Sequence, residues 1–188
     1  MNYQNNIFLF SSFFLFMTTI NASILINQTC KNSSKTKPNI NYKFCVYALQ
    51  SFPASHCADI TRLGQNAITL IKHNVTDTRC YIKQLLQYKK IGNDTKSALQ
   101  DCIDLYSDSL STLREAIIDY RSSRFVDANV KVSSVMDASS TCEDGFDDIG
   151  VVSPLKERNN RVFQLSAIAL SIINMFDSPH VISMINIT

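Results

Sequence analysis

FVDANVKVSSVMDASSTCEDGF, residues 125–146, places Phe125, Ala128, Val132, Val135, Ser139, Cys142 and Phe146 at alternating steps of three and four. Those steps put side chains on one face of an α-helix, whereas a strand needs steps of two. The positions between them are mostly Asp, Asn, Lys, Ser and Glu. The stretch therefore reads as a long amphipathic helix whose single apolar stripe must be buried against something else. Gly145 is read as its C-terminal stop.

The same spacing continues outward in both directions. Upstream, Leu99, Cys102, Leu105 or Tyr106, Leu110, Leu113, Ile117 and Tyr120 make a second stripe. It is predicted to be capped by Asp94 or Thr95 and broken by RSSR, residues 121–124. Before it, Ile60, Leu63, Ala67, Leu70, Ile82 and Leu85, with Ile71 and Val75 alongside, predict one helix from about Ala58 to Leu86. Downstream, Ser153 as N-cap and Pro154 in the first turn open a helix striped by Leu155, Val162, Leu165, Ala169, Ile172 and Phe176. Four long amphipathic helices with short connections predict an all-α, antiparallel up-down-up-down bundle over residues 53–176. Residues 24–52 read as an N-terminal helical hairpin of the same domain. Its pieces are ILINQTCKN, a turn at Lys35–Asn39, and NYKFCVYALQSF with Phe44, Tyr47, Ala48 and Phe52 on one face. Residues 177–188 read as a loosely held tail.

The composition agrees: 188 residues contain only four Gly and four Pro, too few for the turns of an all-β protein of this length. A net charge of +2 without a long basic run gives no indication of nucleic acid. The opening segment, with IFLFSSFFLFMTTINAS at residues 7–23, is too short and interrupted to span a bilayer comfortably. It reads as a secretory signal peptide, residues 1–23, with no membrane association after processing. An uncleaved anchor is the rival reading, because MNYQNN carries no Lys or Arg.

Six cysteines follow, which in a secreted chain suggests disulfides. Two short helices around a turn set Cys30 opposite Cys45, and a bond there braces pieces too short to stand alone in water. In an antiparallel bundle Cys102, near the start of one helix, and Cys142, near the end of the next, fall at the same end and both on apolar stripes. They are expected to meet across the core. Cys57 and Cys80 flank a continuous helix and are expected to be free or to seek a partner outside the chain. Sequons in the mature part begin at Asn27, Asn32, Asn74, Asn93 and Asn186, of which one or two are expected to carry glycans.

Catalytic parts are scarce. Glu143, Asp144, Asp147 and Asp148 crowd behind Cys142, and paired carboxylates can divide into acid and base when their environments differ. No His lies near them in sequence, so the plainer reading is a solvated turn, with Asp147 or Asp148 capping local amides. No Cys-x-x-Cys occurs, and His56, His73 and His180 have no metal-ligand spacing. His56 beside Cys57 mimics a nucleophile–base pair, but sequence neighbours rarely reach that geometry. Tyr81, Tyr88, Tyr106 and Tyr120 read as core-edge residues. No metal and no cofactor is expected.

Taken together, TCKN…NYKFCVYAL, ALQDCIDLYSDSLSTLREAI, TCEDGFDD, SPLKERN and QLSAIAL resemble the plant invertase and pectin methylesterase inhibitor family over nearly the whole mature chain. The similarity is greatest to the subgroup labelled as invertase inhibitors, which includes a plane-tree pollen allergen. The resemblance implies an extracellular, disulfide-braced four-helix bundle with an N-terminal hairpin, and the bonds Cys30–Cys45 and Cys102–Cys142. It implies a non-catalytic protein of the cell wall, or less readily the vacuole, that blocks the cleft of a carbohydrate-active enzyme.

In the invertase inhibitors of the family a Pro-Lys-Phe motif between the second and third bundle helices enters the enzyme. The matching residues here are Ser123, Arg124 and Phe125, so Arg replaces Lys and the Pro is absent. Arg keeps the charge and can pair with carboxylates; without Pro the loop loses preorganisation. The plain alternative is that Phe125 only begins a buried stripe and Arg124 is solvated. Pectin methylesterase inhibitors use the faces of the second and third bundle helices, where Ser133, Ser134, Asp137 and Ser139 stand. A fifth family cysteine is replaced by Ser166.

The expected function is occlusion of an acid invertase or a pectin methylesterase, with a slight lean to invertase. A monomer is expected, with a disulfide dimer through Cys57 or Cys80 as an alternative. A bundle enclosing a small apolar ligand, or a structural or storage protein without an enzyme target, are the rival readings.

Overall fold

The structure is a computed structural model that describes residues 22–37, 39–52, 59–87 and 91–177. Residues 1–21 of the proposed signal peptide (1–23), His56, Cys57, Tyr88, His180, Asn186 and the tail beyond Asp177 lie outside these. The described residues form six helices and no strand. Helix α1 covers residues 22–36, α2 Tyr42–Gln50, α3 Ile60–Leu86, α4 Asn93–Arg121, α5 Phe125–Asp148 and α6 Lys156–Asp177.

Helices α3 to α6 close into a four-helix bundle in which each packs on the next and α6 returns to α3. The α5 stripe is buried as its spacing requires at Ala128, Val132, Val135, Ser139, Cys142 and Phe146, while Phe125 is half-buried at its start. Tyr106, Tyr120 and Phe146 fill the centre with Leu63, Leu99 and Leu113. At roughly 1.5–3 kcal/mol for each large apolar side chain removed from water, this shared core is the main stabilising term.

Several helix ends depart from expectation. Gly145 does not stop α5; it lies inside the helix, which continues to Asp148. The stop is Gly150, whose φ of 67° turns the chain into the left-handed region. There the Val151 amide donates to the Phe146 carbonyl and the Gly150 amide to the Asp147 carbonyl, both at 3.0 Å, which is a Schellman ending. Neither Asp94 nor Thr95 caps α4. Its N-cap is Gly92, with no side-chain bond, and Asp94 instead lies in the first turn, where a carboxylate suits the helix dipole. Pro154 and Leu155 form a turn before α6 begins at Lys156, and the Ser153 hydroxyl accepts from the Leu155 amide at 3.1 Å. Asp147 and Asp148 are exposed.

Helix α6 is not a narrow stripe. Every residue from Leu165 to Ile173 is buried. The physical reason is the hairpin, which lies over the outer face formed by α3 and α6. Gln164 accepts from the Asn41 amide at 2.9 Å and donates to the Asn39 carbonyl at 2.5 Å, and the Ser171 hydroxyl donates to that of Ser33 at 2.8 Å. Within the hairpin, Cys30 is bonded to Cys45. Cys45, Ala48 and Leu49 form the buried face of α2, whereas Tyr47, expected on that face, is 73% exposed. Asn41 caps α2 by accepting from the Phe44 amide.

Candidate functional site

Ser123, Arg124 and Phe125 form the sharp connection between α4 and α5, at the opposite end of the bundle from the Cys102–Cys142 bond. Helix α4 also ends in a Schellman arrangement. The Arg124 amide donates to the Asp119 carbonyl at 2.9 Å and the Ser123 amide to the Tyr120 carbonyl at 3.1 Å. That geometry requires a left-handed residue, and here it is Ser123, with φ of 58°, where glycine is usual. Among the described residues no other non-glycine adopts positive φ. A side chain in this region costs roughly 1 kcal/mol, partly offset by the extra freedom glycine has when unfolded. Ser123→Gly is therefore expected to stabilise the protein by about 0.5 kcal/mol in chemical denaturation. A loss of stability would show that the serine hydroxyl holds the turn.

Arg124 does not wave in solvent. Its Nε donates to Asp119 Oδ1 at 3.0 Å and its Nη2 to the same oxygen, while Lys131 Nζ donates to Asp119 Oδ2 at 2.6 Å. The Asp119 side chain is only 8% exposed, and that of Arg124 is 50% exposed. Glu115 and Asp127 lie 3.8 Å from Lys131 and 3.7 Å from Arg124. Hydrogen bonds from Lys131 and then Arg124 hold the Asp119 carboxyl below the usual carboxylate range, against the opposing effect of burial. The bond to Asp119 correspondingly raises Lys131 above the ordinary lysine value. Next to this clasp Phe125 stacks on Phe176, with ring centroids 4.5 Å apart, and meets Tyr120 edge-on at 5.3 Å. The turn is thus fixed on both sides, by charge at Arg124 and by aromatic packing at Phe125.

Asp119 and Lys131 were missed in the sequence. The predicted stripe runs through Ile117 and Tyr120 and does not include position 119, so no spacing signal marked this carboxylate for burial; once buried, it needs cations. The aromatic cluster has a further support in Gly64. A Cβ built there falls 2.1 Å from Tyr120 Oη and 2.6 Å from its Cζ. Tyr120 is fully buried, its hydroxyl has no hydrogen-bond partner among the described residues, and burial followed by the nearby Asp59 raises its pKa above the ordinary tyrosine value.

At the other end, Cys102 is bonded to Cys142. Beside this bond Asn159, 3% exposed, accepts from the Tyr106 hydroxyl at 2.6 Å and donates to Glu143 Oε2 at 2.7 Å. Burial, with Glu143 adding, raises the Tyr106 pKa above its ordinary value. Glu143 is thus tied into a structural network, and Asp144, Asp147 and Asp148 are exposed along the end of α5. No group of three metal-binding side chains occurs among the described residues. Tyr106 and Tyr120 are core residues rather than edge residues; Tyr81 is half-buried with Arg158 over its ring at 4.3 Å.

Cys80 is a free, exposed thiol on α3, and Cys57 lies outside the described residues. Of the sequons, Asn32 and Asn93 are exposed, and Asn74 is half-buried with its amide donating to the Leu70 carbonyl. The Asn27 amide donates to the Ser23 carbonyl and accepts from the Tyr42 hydroxyl. Ser139 is buried, Ser134 and Asp137 are exposed, and Ser133 is intermediate.

Residues 24–172 match the family model described as plant invertase/pectin methylesterase inhibitor. A Platanus acerifolia protein named "Putative invertase inhibitor" is 39% identical over 170 residues, covering 90% of this chain and 94% of that protein. An Arabidopsis thaliana protein named as cell wall / vacuolar inhibitor of fructosidase 2 is 30% identical over 150 residues, covering 79% and 80%. The fold is similar to the crystal structure of a mutant form of a pectin methylesterase inhibitor from Arabidopsis, with a TM-score of 0.64, 22% identity, and coverage of 76% of this chain and 96% of that one. The match runs from residue 24 in the hairpin through three bundle helices and most of the fourth, so the chain belongs to the plant invertase/pectin methylesterase inhibitor family.

Proposed function

We propose that this protein inhibits a plant acid invertase by inserting the Ser123–Phe125 turn into the enzyme's active-site cleft. Family membership makes it an inhibitor of enzymes rather than an enzyme, and its action is steric and electrostatic. The observation that carries the choice of target is the fixed, half-exposed Arg124. Asp119 engages its Nε and Nη2, which leaves the rest of a guanidinium with five donors for a second carboxylate. A turn already held in one geometry loses little conformational freedom on docking. The identity to a Platanus protein bearing an invertase-inhibitor name supports the same target.

Arg124→Gln is expected to raise the inhibition constant for acid invertase at least about tenfold, the usual scale for truncating one partner of a desolvated charge pair. Any effect on pectin methylesterase is expected to stay unchanged. An unaltered constant for invertase would remove Arg124 from the contact.

The clasp also has a defined pH window. The Asp119 carboxyl is held below its usual value, so its contribution is present above the unfolded carboxylate range, near pH ~4, and lost as pH falls through the lower folded value. Lys131, raised above its ordinary value, loses its contribution only at high pH. The Arg124 Nε–H resonance is therefore expected to hold its position between pH 5 and 7 and to move only below about pH 4. A midpoint near pH 5 would mean that Asp119 is not held by these cations.

A second reading is favoured by one observation. An open groove of about 500 Å³ between α4 and α5 is bordered by Asp101, Asp104, Asp108, Asp144 and Asp148. Such a face suits a basic enzyme surface, and a pectin methylesterase is the alternative target; Asp104→Asn with Asp108→Asn would weaken only that inhibition. An apolar-ligand carrier is disfavoured by a core filled with Tyr106, Tyr120 and Phe146.

We further infer secretion into the cell-wall space after removal of residues 1–23, with the vacuole as the lesser destination. Among the described residues no helix is long and apolar enough to cross a membrane. The protein acts as a monomer, and Cys80 is the exposed thiol through which two copies would join. Mass measurement without reductant distinguishes the two states.

A further inference from the structure

Charge is segregated across the bundle. Twelve of the sixteen carboxylates lie between Asp94 and Asp148, on α4 and α5, whereas thirteen of the eighteen lysines and arginines lie elsewhere. The hairpin is the extreme case. Residues 22–52 carry Lys31, Lys35, Lys37 and Lys43 and no Asp or Glu. Lys31, Lys35 and Lys43 are exposed and Lys37 is partly so. The ion pairs among the described residues involve only Arg124 and Lys131, so none of these four lysines is held in one; the carboxylate next to the groove at the start of α3 is Asp59, beside Ile60. The hairpin rests on α3 and α6, opposite the acidic pair. Two helix diameters make the bundle about 20 Å thick, roughly twice the screening length at physiological salt. The acidic face therefore does not cancel the positive potential over the hairpin.

An open groove of about 830 Å³ adjoins these lysines, between α1, α6 and the start of α3. Its wall carries Gln28, Asn32, Thr36 and Lys37, and its apolar part includes Ile60 and Met175. The side-chain amides of Gln28 and Asn32 make no hydrogen bond among the described residues, and both residues are exposed. Lys31 and Lys35 stand three and seven residues beyond Gln28, on the flank of α1 next to the groove. Cations, free amides and a small apolar surface in one track match a particular chemistry: carboxylates, many hydroxyls, and the C–H faces of sugar rings.

We propose that the hairpin lysines and this groove bind an anionic, uronate-rich polysaccharide, the de-esterified form of pectin. A simple polyanion would use the lysines but leave the amides and apolar surface without a role. The choice of polymer rests on the second reading of the target, a pectin methylesterase. One enzyme class inhibited by this family converts a methyl ester and water into a carboxylate, methanol and a proton, so its product carries the charge this face recognises. Because the hairpin lies opposite α4 and α5, the polymer and a target enzyme on that side can be held together. The inhibitor would then be retained where ester groups have already been removed.

The test measures binding of the mature, oxidised protein to immobilised polygalacturonate and to highly methyl-esterified pectin, without any enzyme present. N-glycans are trimmed first, because a glycan attached at Asn32 would occupy the same groove. Polygalacturonate is expected to bind at least tenfold tighter, with affinity falling as salt is raised. The triple variant Lys31→Gln, Lys35→Gln, Lys37→Gln is expected to lose about tenfold, the product of three exposed charge pairs each worth a few-fold. Inhibition of the target enzyme is expected to be unchanged in that variant. Equal binding to the two polymers, or an unaltered affinity in the folded triple variant, overturns the proposal. Polymer binding retained in a protein that inhibits neither enzyme would refute the inhibitor reading alone.

Discussion

Replacing Cys102 and Cys142 together by Ser is expected to lower stability by about 4 kcal/mol. The bond closes a stretch of 40 residues, and the entropy of an unfolded chain freed of that closure accounts for a loss of this size. The Cys30–Cys45 bond closes only 15 residues and should be worth less, about 3 kcal/mol. The larger loss also has a local part. Asn159, which holds the Tyr106 hydroxyl and Glu143, lies 3.3 Å from Cys142 Sγ, so loss of that sulfur disturbs a buried polar network. The melting temperature should fall by about 10 °C or more for a chain of this length. Thermal unfolding of the double Ser variant beside the oxidised parent measures this. A change below about 1 kcal/mol would show that packing alone holds α4 to α5.

Gly64→Ala should cost about 2 kcal/mol, although alanine is the better helix former by about 1 kcal/mol. The new methyl meets Tyr120 Oη at 2.1 Å and Ile172 Cγ2 at 3.0 Å. A flexible side chain would swing aside, but the Tyr120 ring is wedged against Phe125 and Phe176. Moving it displaces Phe125, and with it the turn that carries Arg124. The variant should therefore lose inhibition of its target more steeply than its stability loss alone explains, even at temperatures where it remains folded. Unfolding curves and inhibition titrations on the same preparation separate the two effects. Stability equal to or above the parent's would mean that α3 and α4 can part at no cost, contrary to the packing at Tyr120.

Much of this architecture is visible in the spacing of apolar residues. The α5 positions from Ala128 to Phe146 are buried as their three-and-four rhythm requires, because a helix face must meet its partners whatever their identity. Helix ends are harder to read. Gly145 and Gly150 are equally good stop residues in isolation, and only the need to bury Phe146 before turning toward Ser153 selects the second. The full burial of α6 from Leu165 to Ile173 depends on where the hairpin lands, which no local pattern specifies. At the turn, the sequence identifies Arg124 and Phe125. What fixes them comes from Asp119, Lys131 and Phe176 on three different helices, and from the absence of a side chain at Gly64 on a fourth. Such support is a property of the assembled bundle rather than of any segment.

The inhibitor assignment is tested most directly by titrating the mature, oxidised protein into an acid invertase and, separately, a pectin methylesterase near pH 5. Activity of one enzyme should fall to a residual level at near-equimolar inhibitor, with invertase expected and with the inhibitor itself turning over neither substrate. Full activity of both enzymes at micromolar inhibitor, or hydrolysis of sucrose or pectin esters by the purified chain, would contradict it.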